Sequence, residues 1–163
     1  MKENRFELSG NQIIIIGQKS PLIIRVSLVI VLFICVLIPI AATIFIISEA
    51  KGPHIGLAFS FLFFWGIGFY LLRIILWNSY GKEILNFETE TFFYEADYRL
   101  FRDAKKSISK KSLEVEILES PDEDDLGTLL LIGEKENIET VLKLPLLQLE
   151  HIVVEVESRI QKI

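Results

Sequence analysis

Hydrophobic positions in the first half of the chain do not alternate with polar ones; they run together. Between Val26 and Ile47 the only ionisable side chain is Cys35, and between Ile55 and Leu72 the only one is Tyr70. At about 1.5 Å of rise per helical residue, each run is long enough to cross roughly 30 Å of hydrocarbon. The pattern therefore predicts two spanning helices, at about 22–47 and 55–77. The link Ser48-Glu49-Ala50-Lys51-Gly52-Pro53-His54 is short enough to force them into an antiparallel hairpin. A cleaved signal peptide is the competing reading of the first run. Ser48-Glu49-Ala50 loosely fits a small-x-small cleavage site, but the stretch exceeds a typical signal core and a second span follows at once.

Either side of these runs the pattern is different. Residues 1–20 contain the block Ile13-Ile14-Ile15-Ile16 between Gly10-Asn11 and Gly17. Four β-branched residues bounded by turn formers read as a strand, and Phe6 to Leu8 ahead of Ser9-Gly10-Asn11 makes a hairpin with it. An interfacial start to the first membrane helix is the alternative. From Lys82 the period becomes two. Ile84-Leu85 and Phe87, Phe92-Phe93-Tyr94, Leu113/Val115/Ile117, Thr128 to Ile132 and Ile138 to Leu144 read as strands, with turns at Asp97 to Asp103, Pro121 to Gly127 and Gly133 to Asn137. Pro145 suits the first turn of a helix, and Leu149, Val153, Val156 and Ile160 repeat at helical spacing on one face. The run Ile152-Val153-Val154 keeps a strand open there. The fold class expected is an α+β membrane protein: a two-helix transmembrane hairpin (21–77) after an N-terminal strand or hairpin (1–20), and a small antiparallel β domain (78–163) closed by an amphipathic helix.

Composition sharpens this picture. The chain is 51% hydrophobic with a mean hydropathy of +0.43, yet 24% charged, figures that coexist because the charge is segregated. They exclude a simple soluble enzyme, a disordered chain and a disulfide-stapled secreted domain. The net charge of −5 is uneven: residues 78–163 carry eleven Lys/Arg against nineteen Asp/Glu, about −8, which argues against nucleic acid as a partner. Lys19 and Arg25 flank the first span, Arg73 and Lys82 the end of the second, and the link offers only Lys51. The excess of basic residues at these ends puts both termini in the cytoplasm of a multi-pass inner (plasma) membrane protein.

Within the hairpin, Gly56, Ser60, Gly66 and Gly68 are the notches for helix–helix packing, with Ala41 and Ala42 as small residues opposite. Pro39 predicts a kink, Cys35 reads as a packing residue, and Arg73, Trp77 and Tyr80 are the membrane-interface anchors.

Three constellations bear on chemistry. Asp122, Glu123, Asp124 and Asp125 before Gly127 lack EF-hand spacing and read as a solvated loop. Arg99, Arg102, Lys105, Lys106, Lys110 and Lys111 form a basic cluster, which is either a contact for anionic lipid or a partner, or a solvated strand edge. No catalytic set is visible: His54 and His151 are expected on opposite sides of the membrane, and there is no phosphate loop or Cys/His metal spacing, so neither metal nor cofactor is expected.

Strands closed by a C-terminal helix after a membrane hairpin, with Leu76-Trp77-Asn78-Ser79-Tyr80-Gly81-Lys82-Glu83 at the handover, resemble small bacterial two-span proteins with a cytoplasmic pleckstrin-homology-like (PH-like) domain. The layout is also similar to that of the photosystem I assembly factor of cyanobacteria and chloroplasts. The resemblance implies the fold and not the function, since PH-like folds host lipid, peptide and protein binding alike. The function expected is that of a non-enzymatic inner-membrane protein whose PH-like domain binds a protein partner or assists assembly of a membrane complex. The alternatives are an anionic-lipid-sensing regulatory module and an oligomeric pore formed by the hairpins. Against the pore, no charged side chain lies in the first span beyond Arg25 at its start, or in the second before Arg73 near its end.

Overall fold

The computed structural model describes residues 4–49, 52 and 55–160; Lys51, Pro53 and His54 of the link lie outside the described residues. In chain order the elements are β1 (Phe6–Ser9), β2 (Gln12–Ile16), α1 (Leu22–Ser48), α2 (Ile55–Tyr80), β3 (Lys82–Phe87), β4 (Thr91–Asp97) and β5 (Arg102–Ser109). A 3-10 turn (Lys110–Ser112) follows, then β6 (Glu114–Glu119), β7 (Leu126–Ile132), β8 (Asn137–Glu139), β9 (Leu144–Pro145) and α3 (Leu146–Ile160). The chain forms two compact units. One is the helical pair, residues 19–79; the other joins the described residues up to Gln18 with those from Tyr80 onward.

Both helices of the pair are long and apolar enough to cross a membrane, at 27 and 26 residues. Their apolar side chains are left uncovered: Phe33, Ile44, Phe59 and Leu62 are all more than 60% exposed. α1 runs through Pro39, whose carbonyl accepts from Thr43 Oγ1 at 2.7 Å. Where the helices meet, Gly68 is buried; a Cβ there would lie 3.5 Å from Leu32 Cδ1 and 3.7 Å from Cys35 Cβ. Cys35 is a free, buried thiol. Ser60 is half-buried, while Gly56 and Gly66 face open space. α2 continues past Trp77 to Tyr80, so Asn78 is helical; its side chain donates to the Ile74 carbonyl and accepts from Ser20 Oγ.

In the other unit, five antiparallel strands form one sheet in the order β1-β2-β3-β4-β5. The isoleucine block is the second strand of this sheet. Its register pairs Ile13 with Leu85, Ile14 with Ile84 and Ile15 with Glu83. The whole helical pair is therefore an insertion between two neighbouring strands. A second sheet has the order β6-β7-β8, with β9 added to the other end of β7. Inward-facing residues of both sheets share one core. Ile13, Ile15, Leu85, Phe87, Phe92, Tyr94 and Ile108 come from the first; Leu129, Leu131, Ile138 and Leu144 come from the second. α3 closes it with Leu149, Ile152 and Val156, each fully buried.

Two local expectations are revised. The stretch from Ile138 to Leu144 is not one strand: β8 stops at Glu139, residues 140–143 turn, and β9 begins at Leu144. Pro145 pairs with Leu126 in β9 and precedes α3 instead of opening it. The β-branched run Ile152-Val153-Val154 is helical, because Ile152 fills the core and that burial outweighs a propensity difference of a few tenths of a kcal/mol.

Candidate binding surfaces

The basic cluster occupies no common face. Arg99 sits in the β4–β5 turn at φ 71°, its guanidinium 4.9 Å from the Tyr80 ring centre. Arg102 pairs with Asp97 at 3.5 Å and Glu95 at 3.7 Å. Lys105 and Lys106 are successive residues of a strand and so point to opposite faces. Lys106 Nζ lies 3.4 Å from the Asn137 carbonyl. Lys110 is buried and Lys111 exposed, both in the 3-10 turn at the far end of β5. Nearness in sequence thus scatters these charges along the full length of one strand.

A β-bulge arranges the charges at one end of the sheet. Up to Tyr94–Lys106 the β4–β5 register would set Asp97 against Asp103; the shift after Tyr94 sets it against Arg102. The extra residue is accommodated at Ala104, which takes φ 54°. A carboxylate–carboxylate juxtaposition becomes an ion pair, reinforced by Lys82 Nζ at 3.6 Å and by the Arg99 backbone N–H at 3.0 Å.

Glu83 is the least expected polar group: its side chain is fully buried, on the same face of β3 as Leu85 and Phe87. The carboxylate accepts from the Tyr94 hydroxyl and from the backbone N–H groups of Val141 (2.7 Å) and Leu142 (3.2 Å). It thereby ties the first sheet to the turn between β8 and β9 and satisfies donors that no strand reaches. Burial pushes its pKa above the ordinary carboxylate value, opposed by those three hydrogen bonds. Desolvation, then the neighbouring carboxylate, pushes the Tyr94 phenol up. Sequence reasoning passed over Glu83, although the two-residue spacing Glu83, Leu85, Phe87 was legible and placed it inward.

On the outer face of the first sheet, Gln12, Ile84, Asn86, Phe93, Glu95 and Lys105 line a shallow groove of about 240 Å³. Ile84 is 9% and Phe93 38% exposed, so an apolar strip lies between an acid and a base. In the acidic loop, Glu123 is taken up by Lys143 at 2.9 Å, and among the described residues no group of three His, Cys, Asp or Glu is placed to hold a metal. His151 is exposed on α3; His54 lies outside the described residues.

No family model, no curated protein and no solved structure matches the chain.

Proposed function

We propose that the chain is a non-enzymatic protein of the plasma membrane: α1 and α2 cross the bilayer, both termini are cytoplasmic, and the β unit is a PH-like module that binds a protein partner or assists assembly of a membrane complex. Insertion is supported by two helices that are apolar all round and largely unburied, unlike the half-covered helix of a soluble core. Because β2 and β3 are paired neighbours, whatever lies between them must leave and return on one side. The basic residues Lys19, Arg25, Arg73 and Lys82 near the helix ends support the cytoplasm as that side. Two consecutive meanders closed by a helix support the PH-like assignment, with an extra first strand and an insertion between the second and third as departures.

The observation that carries the partner reading is the groove on the outer sheet face. An exposed Phe93 and a nearly covered Ile84, bracketed by Glu95 and Lys105, form an apolar centre with a charged rim, which is how protein contacts are built. The lipid-sensing alternative has less support, because Arg102 is paired, Lys110 is buried, and Lys105 and Lys106 diverge. A photo-crosslinking side chain at position 93 of the full chain, in its native membrane, tests this. The reading expects one protein adduct of discrete mass, not formed from Leu118, which is 37% exposed on the second sheet. Lipid adducts alone would favour the lipid alternative.

A further inference from the structure

Where β1 turns into β2, β3 turns into β4 and α3 ends, an open cleft of about 610 Å³ is lined by Asn11, Thr89, Lys110, Glu155 and Arg159, among others. It lies at the ends of β2 and β3 opposite Gly17 and Gly81, where the chain departs for the helical pair. Lys110 is 6% exposed, yet its ammonium has no carboxylate within 4 Å among the described residues and rests 5.9 Å from the Phe87 ring centre. The Arg159 guanidinium lies 4.9 Å from the same ring centre, so the two charges are at most about 11 Å apart. Glu155 satisfies Arg159 Nε at 2.7 Å, but Arg159 Nη1 is buried without a hydrogen-bond partner.

Buried cations in folded proteins are ordinarily paired, because removing an ammonium or guanidinium from water is costly. Here one acid, Glu155, is committed to one edge of Arg159, Glu88 is exposed on the turn, and the nearest aromatic contact of Lys110 is the Phe87 ring. A cleft lined by a largely covered lysine without a carboxylate partner, by an arginine with one edge taken by Glu155, and by the neutral polar side chains of Asn11 and Thr89 is complementary to an oxyanion.

We propose that this cleft is a binding site for the phosphate group of a small soluble molecule, with Lys110 and Arg159 as its two cationic contacts. The chemistry shared by a solute and a lipid headgroup is the phosphate group, and the vesicle arm of the experiment below separates the two sources.

The full chain in detergent, titrated with inorganic phosphate by calorimetry at constant ionic strength, tests the proposal. Saturable binding is expected, weakened at least tenfold in both Lys110→Met and Arg159→Gln, and within threefold of wild type in Lys110→Arg and in the exposed control Lys105→Met. Arg159→Gln alters the last described turn of α3 and decides the matter if Lys110→Met fails to fold. Vesicles with and without phosphatidic acid, presented to the chain in nanodiscs, separate the sources: competition by the lipid with phosphate would contradict the soluble ligand. Absence of saturable phosphate binding would overturn the site, as would binding that survives in Arg159→Gln. Equal loss in Lys105→Met would reduce it to general surface charge.

Discussion

The backbone N–H of Gly17 donates to the carbonyl of Gly81 at 3.0 Å. These glycines follow β2 and precede β3, and that bond closes the sheet around everything between them. A Cβ on Gly17 would lie 2.8 Å from the Gly81 oxygen and 3.2 Å from Leu142 Cδ2. The near neighbour is backbone, which cannot swing aside as a side chain can.

Gly17→Ala is therefore expected to cost about 1–3 kcal/mol through forced displacement. Gly56→Ala, in α2 with nothing within 4 Å, is expected to be neutral or slightly stabilising, since Ala is the better helix former. Thermal unfolding in one detergent would rank them. An unchanged midpoint for Gly17→Ala would show that the strands do not approach so closely.

Much of this fold was legible because its signals are periodic. The two uncharged runs gave α1 and α2, the alternation around Val115 and Ile117 gave β6, and the three-four spacing from Leu149 gave α3. β5 was nearly silent: of its eight residues only Ile108 is buried, so an edge strand reads as a charge run. Pairing of Ile13–Ile16 with residues some seventy positions later has no local signature at all. The chain expected to form a contiguous domain from residue 78 in fact completes its sheet with strands on the far side of the hairpin. The basic cluster was visible as composition, but its dispersal depends on strand parity and on a one-residue bulge, which composition does not carry.

That bulge makes a prediction at Ala104. A non-glycine residue at φ 54° bears a left-handed penalty of about 1–2 kcal/mol, and glycine removes it at an unfolded-state entropic cost of about 0.4–1 kcal/mol. Ala104→Gly should stabilise by roughly 0.5–1 kcal/mol. Denaturant midpoints would check this, and a destabilised Ala104→Gly would mean that β5 runs without the bulge.

Glu83 gives the β unit a pH dependence of defined sign. Its pKa is raised above 4.5 in the folded state by burial, so between that value and the raised one the folded chain holds the proton more tightly than the unfolded chain. The stabilisation from this group is fully present below about pH 4.5 and is lost as pH rises through the folded value. Glu83→Gln cannot titrate; it keeps an acceptor for Tyr94 and Val141 but not for Leu142. The stability of wild type minus that of Glu83→Gln should decline as pH rises from 4.5 to 8. A difference that grows with pH would place the carboxylate in contact with water or a cation.

The helical pair interrupts a sheet whose second and third strands are neighbours. Gly17–Gly81 and Asn11–Phe87 are hydrogen-bonded pairs, so by alternation Ile14–Ile84 is a non-hydrogen-bonded pair, with Cα atoms about 4.5 Å apart and side chains on the outer face. That geometry suits a disulfide. In a Cys35→Ser background, Ile14→Cys/Ile84→Cys should cross-link under mild oxidation in native membranes, and the two halves should stay joined on a non-reducing gel after cleavage within the link. Ile13→Cys/Ile84→Cys, whose side chains point to opposite faces, should not cross-link. Equal cross-linking of both pairs, or of neither, would contradict the paired strands and with them the inserted hairpin.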